Sequence, residues 1–191
     1  MKPRVGLIWD ENLVFGRFLE ECGVVTVHVT PHLLAAPFFR DRFSVLLVPT
    51  GFANPSYSRL LPALRASSMR IKRFVEAGGN LLVYGAASRG ENSYDWLPFG
   101  ISYRYEPVNG KVDIDPSSPW ASIVTDYELD HIECDGFFPE TDGVVIGTMG
   151  GNAVMVEKVI GKGTVLVTTI HEYPSRCFIS GFSVQAGETF F

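Results

Sequence analysis

Gly161 to Pro174, GKGTVLVTTIHEYP, is the stretch whose reading decides the fold. A glycine turn, Gly161-Lys162-Gly163, opens it, and Thr164 to Thr169 is a short run rich in Val and Thr. A β-branched run of this length, with Gly before it and Pro after it, predicts a buried strand. That strand delivers His171 and Glu172 to the point where it stops. In open α/β sheets, ligands sit at the carboxyl ends of the strands. Three earlier apolar runs end in comparably polar or glycine-rich turns, so the chain reads as building one cleft around His171.

Those runs lie upstream. Arg4 to Trp9 predicts a strand ending at Asp10-Glu11-Asn12. Leu13 to Cys22 has near-helical apolar spacing, with Gly23 as its C-cap. Val24 to Val29 predicts a second strand, and Pro31 to Arg42 a loop or short helix. Phe43 to Val48 predicts a third strand, ending at Pro49-Thr50-Gly51. One long helix is expected from about Ser58 to Ala77, with Pro62 tolerable only in its first turn. Gly78-Gly79 stops it, and Asn80 to Tyr84 predicts a fourth strand, ending at Gly85-Ala86-Ala87-Ser88. Alternating strands and helices imply parallel strands joined by right-handed crossovers. The continuous apolar runs agree, because such strands are buried on both faces.

After Ser88 the character changes. Arg89 to Asp115 reads as a long loop with short strands, whose Tyr94, Trp96, Phe99, Tyr103 and Tyr105 either wall the cleft or cover the sheet. Ser118-Pro119-Trp120 reads as a helix start. From Gly143 onward, short glycine turns between apolar runs predict an antiparallel meander. The weakly patterned tail ends in Phe190-Phe191, expected to pack on the domain or on a partner chain.

Length and composition narrow the function classes. A chain of 191 residues predicts one domain, 1–191, with a sizeable core. A net charge of −5 argues against nucleic-acid binding, which needs a basic face. The start, MKPRVGLIWDEN, is too short in apolar length for a signal peptide or membrane span. Three cysteines suggest a reducing compartment, so a cytoplasmic location is expected. Gly150-Gly151 and Gly161-x-Gly163 read as hairpin turns without the strand-to-helix setting of a nucleotide motif, so no cofactor is expected.

Two motifs carry a family resemblance. GGNLLVYGAAS, Gly78 to Ser88, resembles the glycine pair, strand and nucleophile elbow of the class I glutamine amidotransferase-like superfamily. GKGTVLVTTIHEYP resembles the strand and catalytic His of that superfamily. Within it the chain is most similar to the trehalose-utilisation-like (ThuA-like) and biotin-ligase N-terminal-like branches, over roughly Arg4 to Pro174. The resemblance implies an α/β fold: a flavodoxin-like, mostly parallel sheet sandwiched by helices, with a C-terminal antiparallel meander. It implies His171 as base, an acid orienting it, and a Cys on the elbow. Here Gly85 stands where that Cys would be, and shifting by one or two residues gives Ala86 or Ala87. None of the three can attack a carbonyl.

The candidate site residues follow. His171 is the candidate base, supported by Glu172, although neighbours on an extended strand face opposite ways. The other reading of His171 is a strand-end His bonded to a backbone carbonyl. The N–H groups of Gly85, Ala86 and Ser88 would hold an anion or carboxylate if a helix begins there. Ser88 itself reads as a helix N-cap or loop residue, or as a displaced nucleophile. Asp10, Glu11 and Asn12 are candidates for a ligand's amine or hydroxyls, or N-caps of the first helix. Thr50 and Gly51 lie where an oxyanion-hole amide would, and a plain turn is the equal reading. His131, Cys134, His171 and Cys177 offer zinc-ligating atoms in a spacing that matches no zinc signature, so no metal is expected. Arg65 to Arg73 reads as a solvated helix face. Taken together, the expectation is a domain without glutaminase activity that binds a small polar ligand or a protein partner around His171. The alternatives are a hydrolase or isomerase on a small polar or sugar-like substrate, and an interaction subunit, homo-oligomeric or otherwise.

Overall fold

The computed structural model describes residues 2–90 and 92–191. The first half alternates strand and helix. β1 (Arg4–Ile8) leads to α1 (Val14–Glu21), β2 (Val25–Val29) and the short α2 (Pro31–Ala35). β3 (Arg42–Phe43) and β4 (Val45–Val48) follow, then α3 (Leu60–Ala66), α4 (Ser68–Glu76) and β5 (Asn80–Val83). The second half holds β6 (Arg104–Gly110), β7 (Val112–Ile114), β8 (Ile132–Phe137), β9 (Val144–Met149), β10 (Asn152–Ile160) and β11 (Gly163–Thr168). α5 (Arg176–Gln185) and β12 (Thr189–Phe190) close the chain.

Eight strands form one mixed sheet in the order β2-β1-β4-β5-β11-β10-β9-β7. The pairings from β2 through β1, β4 and β5 to β11 are parallel, and those from β11 through β10 and β9 to β7 are antiparallel. The meander is therefore where the sequence placed it, with the His171 strand as the hinge between the two halves of the sheet. Gly150 and Gly151, at φ 57° and 83°, make the β9–β10 turn. Left-handed backbone at both central positions suits the twist of a tight hairpin.

The period of two sorts the strand residues onto two helix layers. Leu46, Val48, Leu81, Val83, Val165 and Val167 face Leu60, Leu64, Ile71, Phe74 and Val75 of α3 and α4. Val45, Leu47, Leu82 and Leu166 face Phe15 and Leu19 of α1 and Phe178, Ile179 and Phe182 of α5. Asn80 is buried at the start of β5 and ties the layers: its Nδ2 donates to the Phe182 carbonyl, and its Oδ1 accepts the Thr164 N–H, both at 2.9 Å.

Several local expectations are corrected. The helix expected over 58–77 is two helices that meet at Ser67, whose hydroxyl donates to the Leu34 carbonyl at 2.9 Å. Pro62 falls in the first turn of α3, where no intrahelical N–H is needed. Asp10, Glu11 and Asn12 do not cap α1, whose N-cap is Leu13 without a side-chain bond. The 118–120 segment yields only a 3₁₀ turn over Ala121–Val124. The weakly patterned tail begins inside α5, which Ser175 caps by accepting the Phe178 N–H. Phe191 is buried against Phe39 and Phe74 beneath the Arg70 guanidinium, whereas Phe190 is exposed beneath Arg42. Arg70 is not simply solvated, because it also donates to the carbonyls of Leu34, Ala36 and Phe39. Tyr94 and Trp96 cover the sheet, edge-on to Phe52.

Candidate functional site

The strand ends build two neighbouring places, joined where Asn54 Nδ2 donates to the Ala87 carbonyl at 3.0 Å. The first is an open groove of about 980 Å³ over the carboxyl ends of β1 and β2. Its walls come from Trp9–Leu13 after β1, Thr30–His32 after β2, and Pro55–Arg59 ahead of α3. The strand order reverses beside β1, since β2 lies on one side of it and β4 on the other. Such a reversal leaves a crevice between the connections that leave in opposite directions. Asp10 holds the groove's shape. Its carboxylate accepts the Ser58 hydroxyl at 2.5 Å and the Arg59 N–H at 3.2 Å, pinning the end of β1 to the start of α3. Glu11, Asn12, His32, Ser56, Tyr57 and Arg59 are exposed along the rim. This rim can offer an acid, an amide and a guanidinium to one ligand.

The second place is the turn after β5. Among the described residues no helix follows Gly85–Ser88; the segment is irregular. The anion-holding helix start is therefore not formed, and the Ser88 hydroxyl instead accepts the Gly90 N–H at 3.1 Å. Ala87 sits at φ 46°, an unusual backbone for a residue with a Cβ. Gly51 does not present a free amide, because its N–H donates to the Gly85 carbonyl at 2.8 Å. Thr50 lies beside it, partly exposed. Ala86 is fully buried.

The residue that organises this turn is Asp135, on β8. Its carboxylate lies directly over Gly85, so that any Cβ there would overlap both oxygens. Oδ2 accepts the Ala87 N–H at 2.6 Å, which stabilises the left-handed turn. Asp135 is 1% exposed, and its Oδ1 has no hydrogen-bond partner among the described residues. Burial pushes its carboxyl pKa up, against the opposing pull of the Tyr103 hydroxyl, the Ala87 N–H and the charge of His171. The sequence reading passed over Asp135. The signal available was an acid inside the apolar alternation of HIECDGF, which identifies a strand with a buried carboxyl only once the strand is recognised.

His171 is exposed just beyond the isolated Cys134–Ile170 bridge, and its backbone N–H donates to the Glu133 carbonyl at 2.9 Å. Its ring makes no hydrogen bond among the described residues, so neither the backbone-bonded ring nor a base with an orienting acid is formed. Glu172 does not orient it: Oε1 accepts the Glu133 N–H at 2.9 Å, and Oε2 is buried without a partner among the described residues. Cys134 is buried with its thiol pKa pushed up to about 12, mainly by burial. Cys177 is exposed, and hydrogen bonds from Ser175 and Thr125 lower its thiol pKa. Among the described residues, no three His, Cys, Asp or Glu side chains converge as metal ligands.

No family model matches the chain, and no curated protein does. Solved structures do. The cold-adapted β-galactosidase from Rahnella sp. R3 is similar over 97% of this chain, with a TM-score of 0.59 at 14% identity. A cytoplasmic protein from Salmonella typhimurium LT2 is similar over 95% of this chain and 98% of its own, with a TM-score of 0.51 at 13% identity. A second cytoplasmic protein from Salmonella typhimurium is similar over 96% of each chain, with a TM-score of 0.50 at 14% identity. This chain spans 31% of the length of the β-galactosidase, and nearly all of the two Salmonella proteins. At such identities the likeness shows the fold alone: a mixed α/β domain with a large central sheet. Among the described residues no helix is long and apolar enough to cross a membrane.

Proposed function

We propose that the chain is a cytoplasmic, glutamine amidotransferase-like domain of the ThuA-like or biotin-ligase N-terminal-like kind. Its elbow has lost its nucleophile, and its strand-end groove binds a small polar ligand. The strand order β2-β1-β4-β5-β11 of the parallel part supports the flavodoxin-like reading. The observation that carries the proposal is the Asp135 carboxylate over Gly85. The space a nucleophile would need is filled by the protein's own acid, and the nearby Ala87 amide is already bonded to it. Acyl transfer needs an attacking atom and a free pair of oxyanion donors. Here the first is missing, and both Ala87 N–H and Gly51 N–H are taken.

Ligand binding then falls to the open groove of Asp10, Glu11, Asn12 and Arg59. The alternative of a hydrolase with His171 as base is less well supported, because Glu172 is engaged by the backbone of β8. The test is ammonia release from glutamine. The expected result is none above the uncatalysed rate; glutamine hydrolysis that disappears in His171→Ala would overturn the proposal.

A further inference from the structure

Of the three tryptophans, two have a satisfied indole N–H: Trp96 donates to the Ser93 carbonyl at 3.1 Å, and Trp120 to a Glu157 carboxylate oxygen at 2.8 Å. Trp9 differs. It is 9% exposed, and its Nε1 donates to no described residue, yet that atom is not sealed from solvent. A buried indole N–H ordinarily finds an acceptor. Trp9 stands in the wall of the strand-end groove, so the free donor is reached from there. The ring is also held in place. A Cβ added at Gly51 would come within 3.7 Å of its benzenoid edge and 3.1 Å of Tyr57. A free donor on a fixed, nearly buried ring calls for an acceptor atom from a ligand.

Two charges in the same groove are unpaired as well. Glu11 and Arg59 are exposed, and neither forms an ion pair with the other or with any described residue. Arg59 and Trp9 belong to one end of the groove, because Asp10, next to Trp9 in the chain, accepts the Arg59 backbone N–H. That bond and the Ser58 hydroxyl occupy the Asp10 carboxylate, which leaves Glu11 as the uncommitted acid. We propose that the groove binds a small zwitterion, an aminocarboxylate. Its carboxylate takes the Trp9 N–H and the Arg59 guanidinium, and its ammonium faces Glu11. A guanidinium matches a planar carboxylate with paired N–H donors. A simple anion would set its charge against Glu11, and a simple cation would leave the Trp9 and Arg59 donors without an acceptor. This inference deepens the groove reading and rests on it.

The test is an NMR titration with 4-aminobutyrate, against sodium butyrate and butylammonium chloride as its singly charged counterparts. Saturable shifts are expected at the Trp9 indole N–H and at amides of Trp9–Leu13 and Ser56–Arg59, with dissociation at roughly millimolar concentration, as suits so small a probe. Butyrate and butylammonium should each bind about 2- to 5-fold more weakly, the worth of one exposed ion pair. Glu11→Gln should abolish the preference over butyrate, and Arg59→Gln the preference over butylammonium; both are exposed changes, and the Arg59 bond to Asp10 is a backbone one. Butyrate or butylammonium shifting the groove as tightly as 4-aminobutyrate, or an unmoved Trp9 indole, would overturn the zwitterion and leave the groove reading standing. So would a groove silent to all three probes that still responds to another polar ligand. Shifts centred on Gly85–Ser88 and His171 would overturn both.

Discussion

Substituting Gly85 by Ala puts a methyl group where the Asp135 carboxylate stands. Gly85 is buried at the end of β5, and the obstructing atoms are both oxygens of a side chain that is itself 1% exposed. The carboxylate cannot move without releasing the Ala87 N–H, bonded at 2.6 Å. Losing a hydrogen bond to a charged group costs about 1.5–3 kcal/mol, and overpacking a dense core costs about 1–3 kcal/mol more. Gly85→Ala is therefore expected to lower the unfolding free energy by about 3–5 kcal/mol. Asp135→Ala removes the obstruction. In the double variant the Gly85 substitution should cost about 2 kcal/mol less than it does alone, a coupling of the size seen for side chains in contact. Urea denaturation of the four proteins measures this directly. A Gly85→Ala variant within about 0.5 kcal/mol of the parent, or strict additivity in the double variant, would refute the placement of Asp135 over the elbow.

Other consequences follow from the same contacts. The folded pKa of Asp135 is raised, so the stability it contributes is whole below its unfolded pKa, about 4, and is lost as pH rises through the folded pKa. The stability of Asp135→Asn relative to the parent, measured by urea unfolding, should therefore improve from acid toward neutral pH; a gap that stays constant would contradict the burial of an ionisable group there. Asn80→Ala strands the Phe182 carbonyl and the Thr164 N–H inside the protein, and should cost about 2–4 kcal/mol in the same assay. Iodoacetamide near neutral pH should label Cys177 first, and Cys22 and Cys134 only on unfolding, as mass spectrometry of peptides would show.

Much of the fold was legible because parallel strands buried on both faces are continuous apolar runs. RVGLIW, FSVLLV and NLLVY announce themselves, and Gly-rich turns mark the meander. Legibility failed where long-range contacts decide the local structure. HIECDGF alternates polar and apolar residues, but it becomes a strand by pairing with β6, and nothing local names that partner. Ser67 interrupts an otherwise helical run while its hydroxyl bonds a carbonyl 33 residues away. At the elbow, the sequence shows that Gly85 lacks a nucleophile, but the carboxylate that fills its place comes from 50 residues downstream. Asp10 is similar: it looks like a cap for the helix that follows it, yet it holds the start of α3.

In the proposed function the working surface is the groove at Asp10–Arg59 and not the elbow at Gly85. Amide-resolved NMR titration with pools of small polar metabolites tests it most directly. Saturable shifts are expected at Trp9–Leu13, Thr30–His32 and Ser56–Arg59, with Gly85–Ser88 and His171 unmoved. Shifts centred on Gly85–Ser88 and His171, with the groove silent, would contradict it.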